Sequence, residues 1–366
     1  MRLLHLAVSD FRNIKALRIE PGERFNLFYG LNGQGKTNLL EAVHLLGSPR
    51  SFRTSRLPEL IRHDELRAQV HGTVESGGIR NQLRLFLEVG GRRVEIDGKA
   101  VQRASDLHGK LNAVVFSPDD SGMVRMGPET RRRYLDRAVY MGDINYLHCW
   151  HDYQRTLKQR NVLLKNSDRS CLDIWTEKLA ETGAEIIERR IKFVAVLDSK
   201  LRKHYATISG HGEICGISYR PDGVKSETRL QIRDELMDLF HRHERSDERY
   251  GTTTAGPHRD DLIFLLEDRP LKAFGSQGQH KSFVLSLKMA EMDNLREIFG
   301  EPPLLLLDDM SSELDARRNR NLMEFLITRD IQVFITTTER SPALLEAVPK
   351  CAVFRVEDGN LTFEGN

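Results

Sequence analysis

The sequence predicts an α/β protein in two parts: a lobe built on a phosphate-loop sheet with an antiparallel β meander, and a mostly helical lobe inserted into it. Three observations predict this. The apolar run Phe25 to Tyr29 stops at Gly30, passes through a glycine-rich stretch and continues as an amphipathic segment from Lys36 to Leu46. A second apolar run, Leu304 to Leu307, ends in Asp308-Asp309. Between them, from about Pro128 to about Arg249, long charged segments with helical spacing dominate and β-branched runs are sparse. The expected boundaries are 1–118 with 251–366 for the sheet lobe and 119–250 for the helical lobe.

In chain order, Leu3 to Val8 is an apolar-rich opening strand that ends at a turn through Ser9-Asp10-Phe11-Arg12-Asn13. Phe25 to Tyr29 is the strand before the glycine loop. Leu39, Leu40, Ala42, Val43 and Leu46 share one face of the helix after it, and Gly47 is its C-terminal cap. Arg67 to Val74, Gln82 to Val89 and Arg92 to Ile96 are short strands separated by Gly77-Gly78, Gly90-Gly91 and Asp97-Gly98, the spacing of a meander with tight turns. Asn112 to Phe116 is one more strand, ended by Ser117-Pro118. Helices are expected within Glu129 to Met141, Asn145 to Lys165, Asp173 to Tyr205 and Thr228 to Arg245. Strands return at Asp261 to Leu266, Leu304 to Leu307 and Gln332 to Thr336, with a helix from about Ser276 to Phe299, closed by Gly300, between the first two. Ala352 to Val356 and Asn360 to Phe363 bracket Asp358-Gly359 as a final hairpin.

Composition bounds the function. A chain of 366 residues is long enough for two or three domains and a large core. With 39% hydrophobic and 30% charged residues it reads as globular, not disordered. The net charge is only +2, so any attraction to nucleic acid must be local. One stretch is basic: residues 121–170 carry ten Lys and Arg against five acids. Cys149, Cys171, Cys215 and Cys351 include no C-x-x-C pair, which argues against a zinc or redox site and against a secreted disulfide framework. The longest apolar run, Pro303 to Leu307, is five residues, too short for a bilayer. The N-terminus shows no apolar signal core, so the expected compartment is the cytoplasm.

Gly30-Leu31-Asn32-Gly33-Gln34-Gly35-Lys36-Thr37 matches the phosphate loop G-x-x-x-x-G-K-[ST] in full. Glycines let backbone N–H groups turn inward at the positive end of the following helix. Lys36 should reach the β- and γ-phosphates of ATP, and the Thr37 hydroxyl should ligate Mg²⁺. Leu304 to Leu307 is read as a buried parallel strand, because its apolar run is unbroken. Asp308 at its carboxyl end would hold the Mg²⁺, and Asp309 would orient the attacking water. Gly275-Ser276-Gln277-Gly278-Gln279 opens a long helix. Alone it reads as an ordinary N-cap. The order of motifs changes that reading: a phosphate loop, a distant S-x-G-Q helix start, an apolar strand with Asp-Asp, then Ser312-Glu313-Leu314-Asp315. This is the order found in ATP-binding-cassette ATPases, and it makes Ser276, Gly278 and Gln279 candidate nucleotide contacts.

With these motifs, the chain resembles the RecF family of SMC-like ATPases over nearly its whole length. The more specific stretches are Asp10-Phe11-Arg12-Asn13, Arg50-Ser51-Phe52-Arg53, Leu157-Lys158-Gln159-Arg160-Asn161 and Gly256-Pro257-His258-Arg259-Asp260-Asp261. The resemblance implies a two-lobed head in which ATP is held between two copies of the chain, the loop of one against Ser276, Gly278 and Gln279 of the other. It implies ATP-dependent binding to double-stranded DNA and single-strand–double-strand junctions at the nucleoid. It also implies a weak DNA-stimulated ATPase, and work with RecO and RecR in loading RecA at gaps, in replication recovery and in the SOS response. Arg12 and Asn13 are implied to lie beside the nucleotide. Arg53 reads equally as a phosphate contact, to ATP or DNA, or as a surface arginine. Three departures stand out. Gly275 replaces a usual apolar residue, Asp309 stands where cassette ATPases usually have Glu, and Thr337-Thr338-Glu339 contains no switch histidine. The last two imply slow hydrolysis.

The basic stretch supplies the expected DNA contacts: Arg131, Arg132, Arg133, Lys158 and Arg160, with a solvated helix face as the alternative. A transporter ATPase subunit shares the loop, signature and Asp-Asp strand. Such subunits are usually smaller and carry a switch histidine, whereas here Thr37 and Ser276 lie 239 residues apart in sequence, with a basic helical insert between them. A chromosome-organising head would need far longer coiled coils than this insert allows.

Overall fold

A computed structural model describes residues 1–209, 212–309, 316–340, 345, 346, 348 and 350–365. The signature-distal motif Ser312-Glu313-Leu314-Asp315 lies outside the described residues. The chain forms two compact units, residues 1–121, 207–210 and 281–366 in the first, and 122–206 with 211–280 in the second.

The first unit opens with β1 (Arg2–Phe11), β2 (Ile14–Ile19) and β3 (Phe25–Tyr29), followed by α1 (Lys36–Gly47). The meander is β4 (Arg67–Ser76), β5 (Ile79–Glu88), β6 (Gly91–Ile96) and β7 (Lys99–Ala100), then α2 (Ala104–Leu107), β8 (Ala113–Phe116) and α3 (Pro118–Met123). One six-stranded sheet has the order β2-β1-β4-β5-β6-β7, with every neighbouring pair antiparallel. Leu3 to Val8 was too short a reading of β1. The strand continues to Phe11, and only Arg12-Asn13 forms the turn, with Arg12 in the left-handed region at φ 53°.

The second unit holds α4 (Pro128–Gly142), α5 (Ile144–Lys165), most of α6 (Leu172–Ser209), β9 (Cys215–Arg220), α7 (Arg229–Tyr250), β10 (Asp261–Leu266), β11 (Arg269–Pro270) and α8 (Leu271–Phe274), and the start of α9 (Gln277–Phe299). Its strand β9 pairs antiparallel with β10 along all six residues. That pairing draws residues 251–280 into the helical unit, beyond the expected boundary at 250. Cys215–Arg220 lies between the helices expected at Asp173 to Tyr205 and Thr228 to Arg245, in a mostly helical region where no strand was expected.

The first unit is completed by β12 (Leu304–Leu307), the helix Ala316–Ile327, β13 (Val333–Thr337), β14 (Cys351–Glu357) and β15 (Asn360–Gly365). The second six-stranded sheet runs β15-β14-β3-β13-β12-β8. Five of its strands, from β14 to the edge strand β8, are mutually parallel, and β15 closes the other edge as an antiparallel hairpin partner. The strand Leu304–Leu307 therefore has parallel neighbours on both sides, and all four leucines are fully buried. Helix α1 contacts strands of both sheets, β1, β4 and β5 on one side and β8 and β13 on the other. It is buried nearly all round, so Leu45, Glu41 and His44 are inside along with the expected apolar face. Among the described residues no helix is long and apolar enough to cross a membrane, and all four cysteines are free thiols.

Candidate functional site

The carboxyl ends of β3, β12 and β13 meet at one place, because the three strands are parallel and in register. Leu307 pairs with Ile335 and Tyr29 with Thr337, so the residues that follow, Asp308 and Gly30, leave the sheet side by side with Thr336 and Thr337. Gly30 N donates to Thr337 O at 3.3 Å. The loop then turns into α1 at Gly35, whose φ of 108° only glycine adopts without strain, and where a Cβ would lie 2.6 Å from Asn13 Oδ1. The tip of the β14–β15 hairpin clamps the loop from outside: Asp358 N donates to Gln34 Oε1, and Gly359 N to Gln34 O at 3.0 Å. Leu31, Asn32 and Gly33 stay exposed.

Lys36 is 7% exposed and reaches back over the loop, donating to Gly30 O and to Leu31 O, the latter at 2.9 Å. Burial pushes its ammonium below the usual lysine range, against the pull of Asp309 and Asp308. Thr37 Oγ1 lies 2.9 Å from both carboxylate oxygens of Asp308. Thr336 Oγ1 donates to Asp308 Oδ1 at 2.7 Å and accepts from Asp309 N at 2.9 Å. Burial raises the Asp308 carboxyl above the usual range; the two threonine hydrogen bonds oppose this and the neighbouring Asp309 adds to it. Asp309 takes a left-handed φ of 49°, which directs the chain sharply out of β12. A hydroxyl beside a buried carboxylate is a hard oxygen pair of the kind Mg²⁺ takes, so Thr37 and Asp308 fit the expected ion.

Thr336 was not expected from sequence. Its signal is a hydroxyl at the carboxyl end of an otherwise apolar strand, and it shows only when β13 is known to lie beside β12. Glu41 was missed for a similar reason: it reads as a surface residue of an amphipathic helix, yet it is fully buried. Arg12 donates to it through Nε and Nη2, each at 2.9 Å. Asn13 Oδ1 accepts from Asn38 Nδ2 at 2.8 Å. Arg12 and Asn13 thus stand against the first turns of α1.

In the second unit, Ser276 N donates to Gln279 Oε1 at 2.7 Å, Gln279 N donates to Ser276 Oγ at 3.2 Å, and Gln279 Nε2 donates to Glu213 Oε1 at 2.7 Å. Ser276 and Gln279 make a reciprocal cap at the start of α9, with Gly278 in its first turn. Gly275, the departure from the cassette pattern, has a local cause. A Cβ there would lie 2.6 Å from Leu271 Cδ1, 2.8 Å from Leu271 O and 2.9 Å from His280 Cδ2.

The basic residues separate into two groups. Arg131 is buried and bidentate to Asp261 at 2.9 and 2.8 Å, and Arg160 is 2% exposed and bound to Asp247 at 2.7 Å. Both were expected to contact DNA; each is instead buried with its guanidinium already paired to a carboxylate, Arg131 to the partly exposed Asp261 and Arg160 to the buried Asp247. Arg132 is half-buried and donates to Asp260 O at 2.7 Å. Arg133, beside Glu129, and Lys158 are exposed.

The family model for the RecF/RecN/SMC N-terminal domain matches residues 2–362. The DNA replication and repair protein RecF of Trichlorobacter lovleyi is 48% identical over 368 residues, covering 100% of this chain and 99% of its own length. The chain belongs to the RecF family. RecF of Geobacter sulfurreducens is 46% identical over 363 residues, 99% of this chain and 100% of its own length. A solved structure described as the recombination mediator protein RecF with ATP in the RecFOR pathway superposes with a TM-score of 0.91 at 35% identity, over 99% of this chain and 97% of that one. An SMC head bound to the C-terminal winged-helix domain of ScpA shares the fold alone, with a TM-score of 0.59 at 15% identity over 100% and 98% of the two chains. The fold is thus the SMC-like, ABC-type ATPase head, as the motif order implied.

Two of the stretches that carried the RecF resemblance contribute buried polar side chains to the second unit. Arg160 and Asn161 meet Thr253, and Arg160 also meets Thr176 and Asp247. Arg190 binds Asp260, Asp136, Tyr146 and the Pro257 carbonyl. His258 Nδ1 shares a hydrogen bond with Tyr153 Oη at 2.7 Å, and its Nε2 lies 3.1 Å from Thr253 O. Burial pushes its imidazole down to about 4, so it is neutral at physiological pH.

Proposed function

We propose that this chain is an ATP-binding, slowly hydrolysing DNA-binding protein of recombinational repair. The observation that carries the reading is the Lys36–Thr37–Asp308–Thr336 centre at the carboxyl ends of parallel strands, where open α/β sheets bind ligands. In this reading Lys36 exchanges its two loop carbonyls for the β- and γ-phosphates of ATP. Thr37 and Asp308 hold Mg²⁺, and Asp309 orients the attacking water. Mg²⁺, when bound, supplies charge neutralisation between phosphate oxygens. Arg12 and Asn13 contact the nucleotide. Ser276, Gly278 and Gln279 of a second copy close on the γ-phosphate, so ATP joins two copies on DNA and hydrolysis releases them.

The likeness to proteins named DNA replication and repair protein RecF, and to solved RecF structures described with ATP in the RecFOR pathway, supports carrying over the nucleotide and the pathway. On that basis the partners are double-stranded DNA and its junctions with single strands, RecR and RecO, and RecA indirectly. The site of action is the nucleoid. Of the five basic residues, Arg133 and Lys158 remain as exposed DNA contacts, with Arg132 at their margin.

The test is solution mass and phosphate release with ATP and Mg²⁺, with and without duplex DNA. The parent should dimerise with ATP and turn over faster with DNA; Lys36→Met should do neither. Asp309→Asn should keep nucleotide binding and dimerisation while turnover falls about a hundredfold. A Lys36→Met chain equal to the parent in both assays overturns the reading, and unchanged turnover in Asp309→Asn removes Asp309 from its role.

A further inference from the structure

Helix α1 is sandwiched between apolar surfaces, yet it carries one fully buried carboxylate. Glu41 is 0% exposed and lies one turn beyond Thr37. An isolated buried carboxylate is costly, so its partners matter. Arg12 meets it edge-on through Nε and Nη2, each at 2.9 Å. Ser51 Oγ donates to the same carboxylate, and Arg53 Nη1 lies 3.4 Å from Oε2 while donating to Asn38 Oδ1 at 2.7 Å. Asn38 in turn donates to Asn13 Oδ1 at 2.8 Å. One carboxylate thus ties the turn after β1 and the 51–53 segment to the helix that begins at Lys36.

The grip uses only part of each guanidinium. Among the described residues no hydrogen bond or ion pair takes Nη1 of Arg12, or Nε and Nη2 of Arg53. The two side chains are 16% and 36% exposed, so each is in part open to solvent. Arg53 is close enough to Asp308 to act on its charge. The local charge is +2 from the arginines against −1 from Glu41, a surplus that suits an anion at the loop mouth.

We propose that Glu41 is a positioning residue for nucleotide binding: its buried carboxylate holds Arg12 by one edge and, with Asn38, Arg53 by one nitrogen, and so presents their unused donors as a preassembled clamp for the nucleotide phosphates. This rests on the ATP-binding reading above. Ordering two long side chains before the ligand arrives removes an entropic cost from binding. The clamp acts on bound ATP before and during the reaction alike, so its loss weakens affinity more than turnover.

The experiment measures ATP affinity of the full chain by calorimetry, together with turnover at saturating ATP, in the parent, Glu41→Gln, Arg12→Ala, the double variant, Arg12→Lys and Lys36→Met. Glu41→Gln should weaken ATP about tenfold while saturated turnover stays within about threefold. In the Arg12→Ala background the same change should cost no more than about threefold, because its main client is gone. Arg12→Lys keeps the charge but cannot bind Glu41 edge-on, and should also weaken ATP about tenfold with an unchanged Tm. It decides the matter if Glu41→Gln does not fold. Unchanged affinity in folded Glu41→Gln or in Arg12→Lys, or an equal loss in both Arg12 backgrounds, overturns the proposal. So does a loss confined to DNA retention, which would make the clamp a DNA contact. A Lys36→Met chain that binds ATP like the parent overturns the nucleotide reading itself. Loss in Lys36→Met with no loss in Glu41→Gln overturns only the role of Glu41.

Discussion

The loop centre of the first unit and the polar core of the second are built from the same kinds of residue, and they satisfy their charges in opposite ways. In the second unit Arg160 meets Asp247 and Arg190 meets Asp260, each charge matched by an opposite one at 0–2% exposure. Hydroxyls of Thr176, Thr253, Tyr146 and Tyr219 take up further donors and acceptors of the four. In the first unit Lys36 holds two neutral carbonyls and Asp308 is held by two threonine hydroxyls, while a cation and an anion lie near each other without a direct ion pair. Complete pairing makes a rigid interior. Pairing with neutral groups leaves charges that a phosphate and a metal ion can claim. The difference separates residues that hold the fold from residues that are free to exchange partners.

The largest effect expected from breaking this contrast is on stability. Arg160→Met leaves Asp247 buried without its cation, held only by Thr254 N and Oγ1 among the described residues, and should cost about 3–5 kcal/mol in urea unfolding. Adding Asp247→Asn should restore part of that loss, because the orphaned charge is removed. In the first unit the outcome should be reversed. Asp308→Asn should lower ATP turnover about a thousandfold yet leave the urea midpoint no lower than the parent's, since the carboxylate it replaces is held unfavourably by burial. A fall in stability there would place Asp308 among the structural charges.

The third effect sharpens the comparison through pH. His258 titrates near 6.5 when unfolded and at about 4 when folded, so the folded state favours its neutral form. That preference is fully present above pH 6.5 and is lost as pH falls towards 4, amounting to about 3 kcal/mol. His258→Gln should be less stable at pH 7.5 but show a flatter decline between pH 6.5 and 4. An unchanged decline would assign the acid sensitivity to other groups. The smallest effect concerns the exposed charges. Arg133→Ala and Lys158→Ala should each reduce the salt slope of duplex DNA binding by about one, with Tm unmoved. Arg131→Ala, by contrast, should lower Tm because it strands Asp261.

Much of the loop centre was legible in sequence because its elements are local. Gly30 to Thr37 sits between a strand and a helix, and Leu304 to Leu307 reads as a strand with parallel neighbours from its apolar run alone. Both appear with the expected bounds or within a residue of them. Other features were not legible. Arg131 and Arg160 look like neighbouring basic residues as much as Arg133 and Lys158 do, since a charge on a helix carries no mark of the carboxylate that will meet it. Their partners Asp261 and Asp247 lie 130 and 87 residues away in sequence. Strand β9 was hidden for the same reason: its partner β10 defines it, and its own six residues do not.

The amino-acid sequence by itself determined the phosphate loop, the strand with Asp308-Asp309, the meander and the family, because each rests on spacing within a few tens of residues or on the order of motifs. Only the tertiary structure decided which charges are free. Register between β12 and β13 put Thr336 on Asp308, burial of α1 between two sheets turned Glu41 inward, and pairing across the second unit consumed Arg131 and Arg160. The physical reason is that a charge acquires its function from what desolvates and neutralises it, and those groups come from distant parts of the chain.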